Sequence, residues 1–117
     1  MKDVLDALNQ VAGIRGSMIV THDGMVVASA LSKALDRDTV AAVASTVVRK
    51  TLQALEAAGF GALRRYDMKS SHGRMVFVDT GRAYLIVVTE CEIDIGPVGI
   101  EIQSASRRIG QLCRVQI

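Results

Sequence analysis

The stretch from Asp36 to Gly59 constrains this chain most, because its residues ask for a helix that cannot stand alone. At 100° per residue, Val40, Val43, Ala44, Val47, Val48, Leu52 and Leu55 fall on one continuous side, with Thr51, Ala54 and Ala58 among them. That apolar arc covers about half the circumference, wider than the roughly 100° stripe that one core face requires. Small residues Ala41, Ala42 and Ser45 flank it, while Thr46, Arg49, Lys50, Gln53 and Glu56 fill the opposite face. The segment is also rich in β-branched residues: Thr39, Val40, Val43, Thr46, Val47, Val48 and Thr51. Such side chains lose χ1 freedom in a helix and form it poorly, so burial must hold the segment in place. Part of the arc is expected to pack on a sheet. A small-residue flank is expected to meet another helix, a copy of itself.

The flanking chain supplies the sheet. Val4, Leu5, Leu8, Val11 and Ala12 recur at helical spacing, and Gly13 is a natural stop, which predicts a first helix of about three turns. Ser17–Thr21 and Met25–Ser29 then flank His22-Asp23-Gly24, and Asp-Gly favours a type I′ hairpin turn. His22 sits at the tip with no cysteine, histidine or carboxylate cluster converging on it, so it reads as a solvated turn residue rather than a ligand. His72, in the turn Ser71-His72-Gly73, reads the same way. Asp36 or Asp38 caps the long helix and Gly59 ends it.

Ala62 to Ser71 is a third strand of unusual polarity. Leu63, Arg65, Asp67 and Lys69 point one way, and Arg64, Tyr66, Met68 and Ser70 the other. Charges on both faces argue for an edge strand. Two readings stand side by side: the charges simply blunt the edge, or two copies pair antiparallel about Tyr66. The second sets Arg65 opposite Asp67 of the other copy and Arg64 opposite Met68. Such charge pairs contribute on the order of 0.2–1 kcal/mol each, so they tune an edge rather than drive it.

Arg74–Asp79 and Ala83–Thr89 form a second hairpin about Thr80-Gly81, apolar on both faces and therefore central. Cys91 to Gly96 is a loop, and Pro97 opens a final helix whose stripe is Val98, Ile102, Ala105, Ile109 and Leu112. The order α-ββ-α-βββ-α predicts an α+β three-layer α/β/α sandwich around a five-stranded antiparallel sheet, with residues 1–117 as one domain.

Composition excludes several functions. A net charge of +2 and an aromatic content of 3% leave neither the field nor the stacking surfaces that nucleic acid needs. The N-terminus enters an amphipathic pattern at once, and no apolar run approaches the ~20 residues of a membrane span. We therefore expect a cytoplasmic protein with no membrane insertion. Cys91 and Cys113 are spaced for neither a redox pair nor zinc, and read as unpaired core thiols.

Catalytic groups fail the same inspection. Ser17, Ser29, Ser70 and Ser71 lack a G-x-S-x-G context. Cys91 lies between Glu90 and Glu92, whose charge disfavours a thiolate. Gly96-Pro97-Val98-Gly99 has no following P-loop lysine, and Glu101 would oppose a phosphate. No enzyme, cofactor or metal site is expected.

The order of elements resembles the Roadblock/LC7 family. The matching stretches are Leu8 to Gly16 (Leu-Asn-Gln-Val-Ala-Gly-Ile-Arg-Gly), the hairpin from Ser17 to Ala28, the long second helix, the three later strands and a short closing helix from Pro97. The resemblance spans essentially the whole chain; its specificity lies in order and spacing, since each motif is short and apolar. It implies the second helix on one face of the sheet and the first and third on the other. It also implies a homo- or heterodimer in which third strands pair edge to edge and second helices lie side by side. The implied dimer residues are Ala41, Ser45, Val48 and Leu52 on the helix, and Arg64, Arg65, Tyr66, Asp67 and Met68 on the strand. Members regulate or scaffold small Ras-like GTPases or act as dynein light chains, without catalysis of their own. Carried over by position, Thr46, Arg49, Lys50 and Gln53 of the two helices would face a GTPase; a solvated, idle row is the equal alternative. The chain stops at Ile117, short of the C-terminal extension of gliding-motility members, so the resemblance supports GTPase binding more than activation. A competing function is a small-molecule sensor of PAS-like or profilin-like layering, which needs a pocket with convergent polar groups. A third, an enzyme using Cys91 or a histidine, would show turnover dependent on that residue.

Overall fold

The protein is described here by a computed structural model covering residues 1–115. Its elements are α1 (Lys2–Leu8), β1 (Ile14–Thr21), β2 (Val26–Leu31), α2 (Arg37–Ala58), β3 (Arg65–Ser70), β4 (Gly73–Asp79), β5 (Ala83–Thr89) and α3 (Ile95–Val115). The five strands form one sheet in the order β2-β1-β5-β4-β3, antiparallel throughout. β5 lies at the centre with every residue buried, as its double-faced apolarity requires. β2 and β3 are the two open edges.

Alternation along the strands feeds two cores. Met18, Val20, Phe77, Tyr84, Ile86 and Val88 face α2, which lays Val40, Ala44 and Val48 on them. Ile19, Val76, Val78, Leu85 and Val87 face the other way, beneath Val4, Leu5 and Leu8 of α1 and Val98, Ile102, Ala105 and Ile109 of α3. The result is the three-layer α+β sandwich that the element order predicts. α2 is capped as the sequence requires: the Asp36 carboxylate accepts from the Asp38 N–H at 3.3 Å and the Thr39 hydroxyl at 2.7 Å. At the other end Gly59 takes the left-handed conformation, φ 76°.

Two helices differ from expectation. α1 ends at Leu8 instead of running to Gly13. The Asn9 side chain is drawn into the sheet, donating to the Ala30 carbonyl at 2.7 Å and accepting from the buried Ser17 hydroxyl at 2.9 Å. The Ser17 hydroxyl, buried in the core, also lies 3.4 Å from the Leu5 carbonyl, and the shorter bond to Asn9 with the Asn9–Ala30 bond takes precedence over one more helical turn. The closing helix, in turn, is not short: α3 starts two residues before Pro97 and spans 21 residues. Leu112, expected in its stripe, is 36% exposed.

Gly110 lets α3 sit against the β4–β5 turn, since a Cβ there would lie 2.7 Å from the Thr80 carbonyl oxygen. Overpacking of this kind typically costs about 1–3 kcal/mol. Gly110→Ala should therefore lower the urea midpoint by that much stability with an unchanged slope. A midpoint equal to wild type would mean that the turn moves aside freely.

Candidate protein-interaction surface

The hydrogen-bond phase of β3 follows from one bond. The Asp79 N–H donates to the Arg64 carbonyl at 2.9 Å, in a register that pairs Arg65 with Val78 and Tyr66 with Phe77. Antiparallel pairs alternate, so the backbone groups of Tyr66 and Met68 face β4, whereas those of Arg65, Asp67 and Lys69 point away from the sheet. The expectation of an edge strand holds, and its open side belongs to the three charged positions.

Their side chains are not equally free. Asp67 pairs with Arg74 at 3.3 Å, whose side chain is only 14% exposed, and Lys69 pairs with Glu92 at 3.6 Å. Arg64 reaches Asp79 at 3.6 Å. Arg65 has no ion pair among the described residues. On the α2 face of the strand, Tyr66 and Met68 are half-buried, and Tyr66 meets Phe77 edge-on at 5.9 Å between ring centroids.

Above the sheet, α2 turns Thr46, Arg49, Lys50 and Gln53 to solvent as one row opposite its buried side. The four residues carried over as facing a GTPase are thus together and accessible. Of the helix residues expected in self-contact, Ser45, Val48 and Leu52 lie on the flank toward the β1–β2 turn. Val48 is buried on the sheet, and the Ser45 hydroxyl donates to the carbonyls of Ala41 at 2.7 Å and Gly24 at 3.3 Å. Ser45, Val48 and Leu52 line a cleft of about 310 Å³ against the β1–β2 turn, with His22 and Asp23 opposite them. This flank, with Ala41, is not brought together with β3. The flank beside β3 is the other one: Val43, 42% exposed, shares a groove with Met68 and Met75, and Val47 and Ala54 follow it at helical spacing.

His22 is not simply a solvated turn residue. Its Nε2 lies 3.3 Å from an Asp79 carboxylate oxygen, and its ring meets Tyr84 at a tilt of 54° with centroids 4.7 Å apart. Burial raises the Tyr84 phenol above its ordinary range; the Asp79 charge adds to this and Arg64 opposes it. Sequence reasoning missed this cluster because His22 and Asp79 are 57 positions apart and meet only through the β1–β5–β4 register. His72 stays exposed, 2.9 Å from the Ser71 hydroxyl. Both cysteines are unpaired, but Cys91 is a half-buried loop residue, 3.0 Å from the Ser70 carbonyl, and not part of a core. Among the described residues no helix is long and apolar enough to cross a membrane.

A five-stranded antiparallel sheet with one long helix on one face and two helices on the other defines the profilin-like class of α+β sandwich. Within that class, the sequence model of the Roadblock/LC7 domain matches residues 1–90, and the chain belongs to the Roadblock/LC7 family. It is 34% identical over 106 residues to the uncharacterized protein MJ1340 of Methanocaldococcus jannaschii, covering 91% of this chain and 93% of that one. Among solved structures it is similar to MglB of Myxococcus xanthus, with TM-score 0.88, 18% identity and coverage of 98% and 88%. The Roadblock/LC7 domain from Streptomyces avermitilis is similar too, with TM-score 0.81, 17% identity and coverage of 97% and 98%. The family is generally non-enzymatic. α3 lies beyond the matched residues.

Proposed function

We propose that this chain is a single-domain, cytoplasmic, non-catalytic module that forms a homodimer and binds and regulates a small Ras-like GTPase. The observation that carries the reading is the adjacency of three unfilled features: an open β3 edge, an apolar α2 flank beside it, and a solvated polar row on α2. A lone subunit leaves the first two without partners. Pairing about Tyr66 would set Arg65, which has no ion pair among the described residues, against Asp67 of the second copy and close the ladder with the outward-facing backbone groups. The Val43–Val47–Ala54 flanks of the two helices would then approach each other, and the two Thr46–Gln53 rows would form one platform. Centring the pair on Asp67 instead would oppose like charges.

Light scattering of the purified chain should give twice the subunit mass at micromolar concentration. Pull-down with Ras-like GTPases loaded with GTP or GDP should show nucleotide-sensitive capture. Reversing the platform charge in Arg49→Glu/Lys50→Glu should weaken capture about tenfold or more, as expected for truncating an interface centre, while leaving the mass unchanged. Capture insensitive to both nucleotide and this change would remove the platform from the account. The cleft between α2 and the β1–β2 turn favours a second reading, a small-molecule sensor, because Val20, Val48 and Leu52 supply an apolar floor and His22, Arg49 and Gln53 a polar rim. A metabolite screen that raises the melting temperature of wild type but not of a Leu52→Gln variant would support it.

A further inference from the structure

The two open edges of the sheet are chemical opposites. From Arg64 to Lys69 the β3 edge carries Arg64, Arg65, Asp67 and Lys69. From Gly24 to Ser32 the chain around β2 contains neither a charged residue nor a proline, the two devices that most often keep an edge from pairing. Met25 and Val27 are 66% and 51% exposed there.

The backbone phase of β2 is fixed by the Ser32 N–H, which donates to the Arg15 carbonyl at 3.0 Å in a register pairing Ser17 with Ala30. By alternation Ala28 and Ala30 turn their backbone groups to β1, and Ser29 and Leu31 turn theirs outward. α1 reaches this strand through Asn9, but its bond is to the Ala30 carbonyl, on the β1 side. The register shift at Ile19/Val20 falls at the Val26–Val27 end, so Ala28 to Leu31 is regular strand.

We propose that β2 is a second self-pairing edge, which takes the β2 of another copy, antiparallel about a two-fold axis at Ala30. Charge decides the occupant. A strand such as β3 would bring Arg65, Asp67 and Lys69 against alanine, valine and leucine with no counter-charge. Across Ala28–Ser32 β2 offers its own copy an uncharged match; beyond it Val27 meets Lys33 of the second copy, and Lys2, Asp6 and Arg15 line the groove beside Ala30. In that register Ser29 meets Leu31 of the second copy and Leu31 meets its Ser29, each pair exchanging two backbone bonds. Ala30 faces Ala30 of the second copy, and its small side chain leaves room beside α1. The inference uses nothing of the GTPase reading. Combined with a β3 dimer, two different two-fold contacts on one subunit build a row that lengthens with concentration.

The test is sedimentation of the full chain from micromolar to millimolar concentration. Ser29→Pro removes only an outward N–H and leaves the β1 ladder intact, and Val27→Lys places a charge at an exposed position beside the seam. Wild type should grow beyond a dimer as concentration rises. Both variants should stop at the dimer, with association at this edge weakened roughly tenfold or more. A variant with its β3 edge blocked by Arg65→Pro should still pair through β2. If Ser29→Pro lowers the melting temperature, Val27→Lys decides. The proposal is overturned if wild-type mass stays constant with concentration, or if Val27→Lys grows as wild type does. Protection of the Ser29 and Leu31 amides by an unrelated neutral extended peptide, without self-association, would give the edge to a foreign strand and equally overturn it.

Discussion

Arg65→Pro should convert the proposed β3-paired dimer into monomers at micromolar concentration while leaving the subunit folded. The asymmetry comes from the hydrogen-bond phase. Because the Arg64 carbonyl accepts from Asp79, the Arg65 N–H points away from β4, and its loss breaks no intrachain ladder bond. Arg65 is also the first residue of the strand, a position that tolerates proline. In a pair centred on Tyr66, each subunit would lose one interchain bond worth about 1 kcal/mol and one Arg65–Asp67 contact worth roughly 0.2–1 kcal/mol. Counted in both subunits, that is about 3 kcal/mol, or roughly a hundredfold in the dissociation constant. Arg65→Gln, which keeps the N–H and loses only the charge, should weaken the dimer by roughly two- to thirtyfold. Sedimentation equilibrium separates the outcomes. Equal effects from proline and glutamine would mean that charge, not the ladder, holds the edge, and no effect from either would move the interface away from β3. Asp67 is the wrong residue for this test, since removing it strands the nearly buried Arg74 guanidinium.

The same strand shows how far residues alone reach. Its edge position was legible because charges on both faces suit no interior strand, and the order β2-β1-β5-β4-β3 places it there. α2 was legible to within a residue, because Asp36 and Gly59 are chemically suited to its two ends. Which flank of α2 borders β3 was not. A helical wheel gives the width of an apolar arc but not the direction in which the helix crosses the sheet. That crossing is set by contacts such as Ser45 with Gly24, 21 positions apart. The end of α1 was hidden for a similar reason: Val11 and Ala12 continue the helical pattern, but Asn9 is recruited by Ser17 and Ala30. His22 looked idle because nothing local bonds it, and Asp79 and Tyr84 arrive only when the hairpins stack side by side. Periodicity reports burial; it does not report the long-range polar bonds that choose between equally buried alternatives.

Phe77→Ala should be the most damaging single truncation in the protein. Phe77 is fully buried, heads the largest buried side chains, and lies in the layer shared by α2, Met18, Tyr84 and Ile86. Truncating a buried phenylalanine typically costs about 3–5 kcal/mol, transfer and cavity together. For a domain of this size that should lower the melting temperature by about 10–20 °C. The local consequence is more specific than the global one. Phe77 opposes Tyr66 in the β3–β4 register and holds it edge-on, so its removal frees the central ring of the edge strand. Hydrogen exchange at the Tyr66 and Met68 amides, which face β4, should rise more than global unfolding alone predicts, and the dimer should weaken with it. A comparison in the opposite layer separates the two effects. Ile109→Val, beneath α3, should cost about 0.5–1.5 kcal/mol and leave exchange along β3 tied to global stability. If Phe77→Ala lowers stability but β3 exchange merely follows the global value, then Tyr66 does not need Phe77 to hold the edge, and β3 is positioned by its backbone ladder alone.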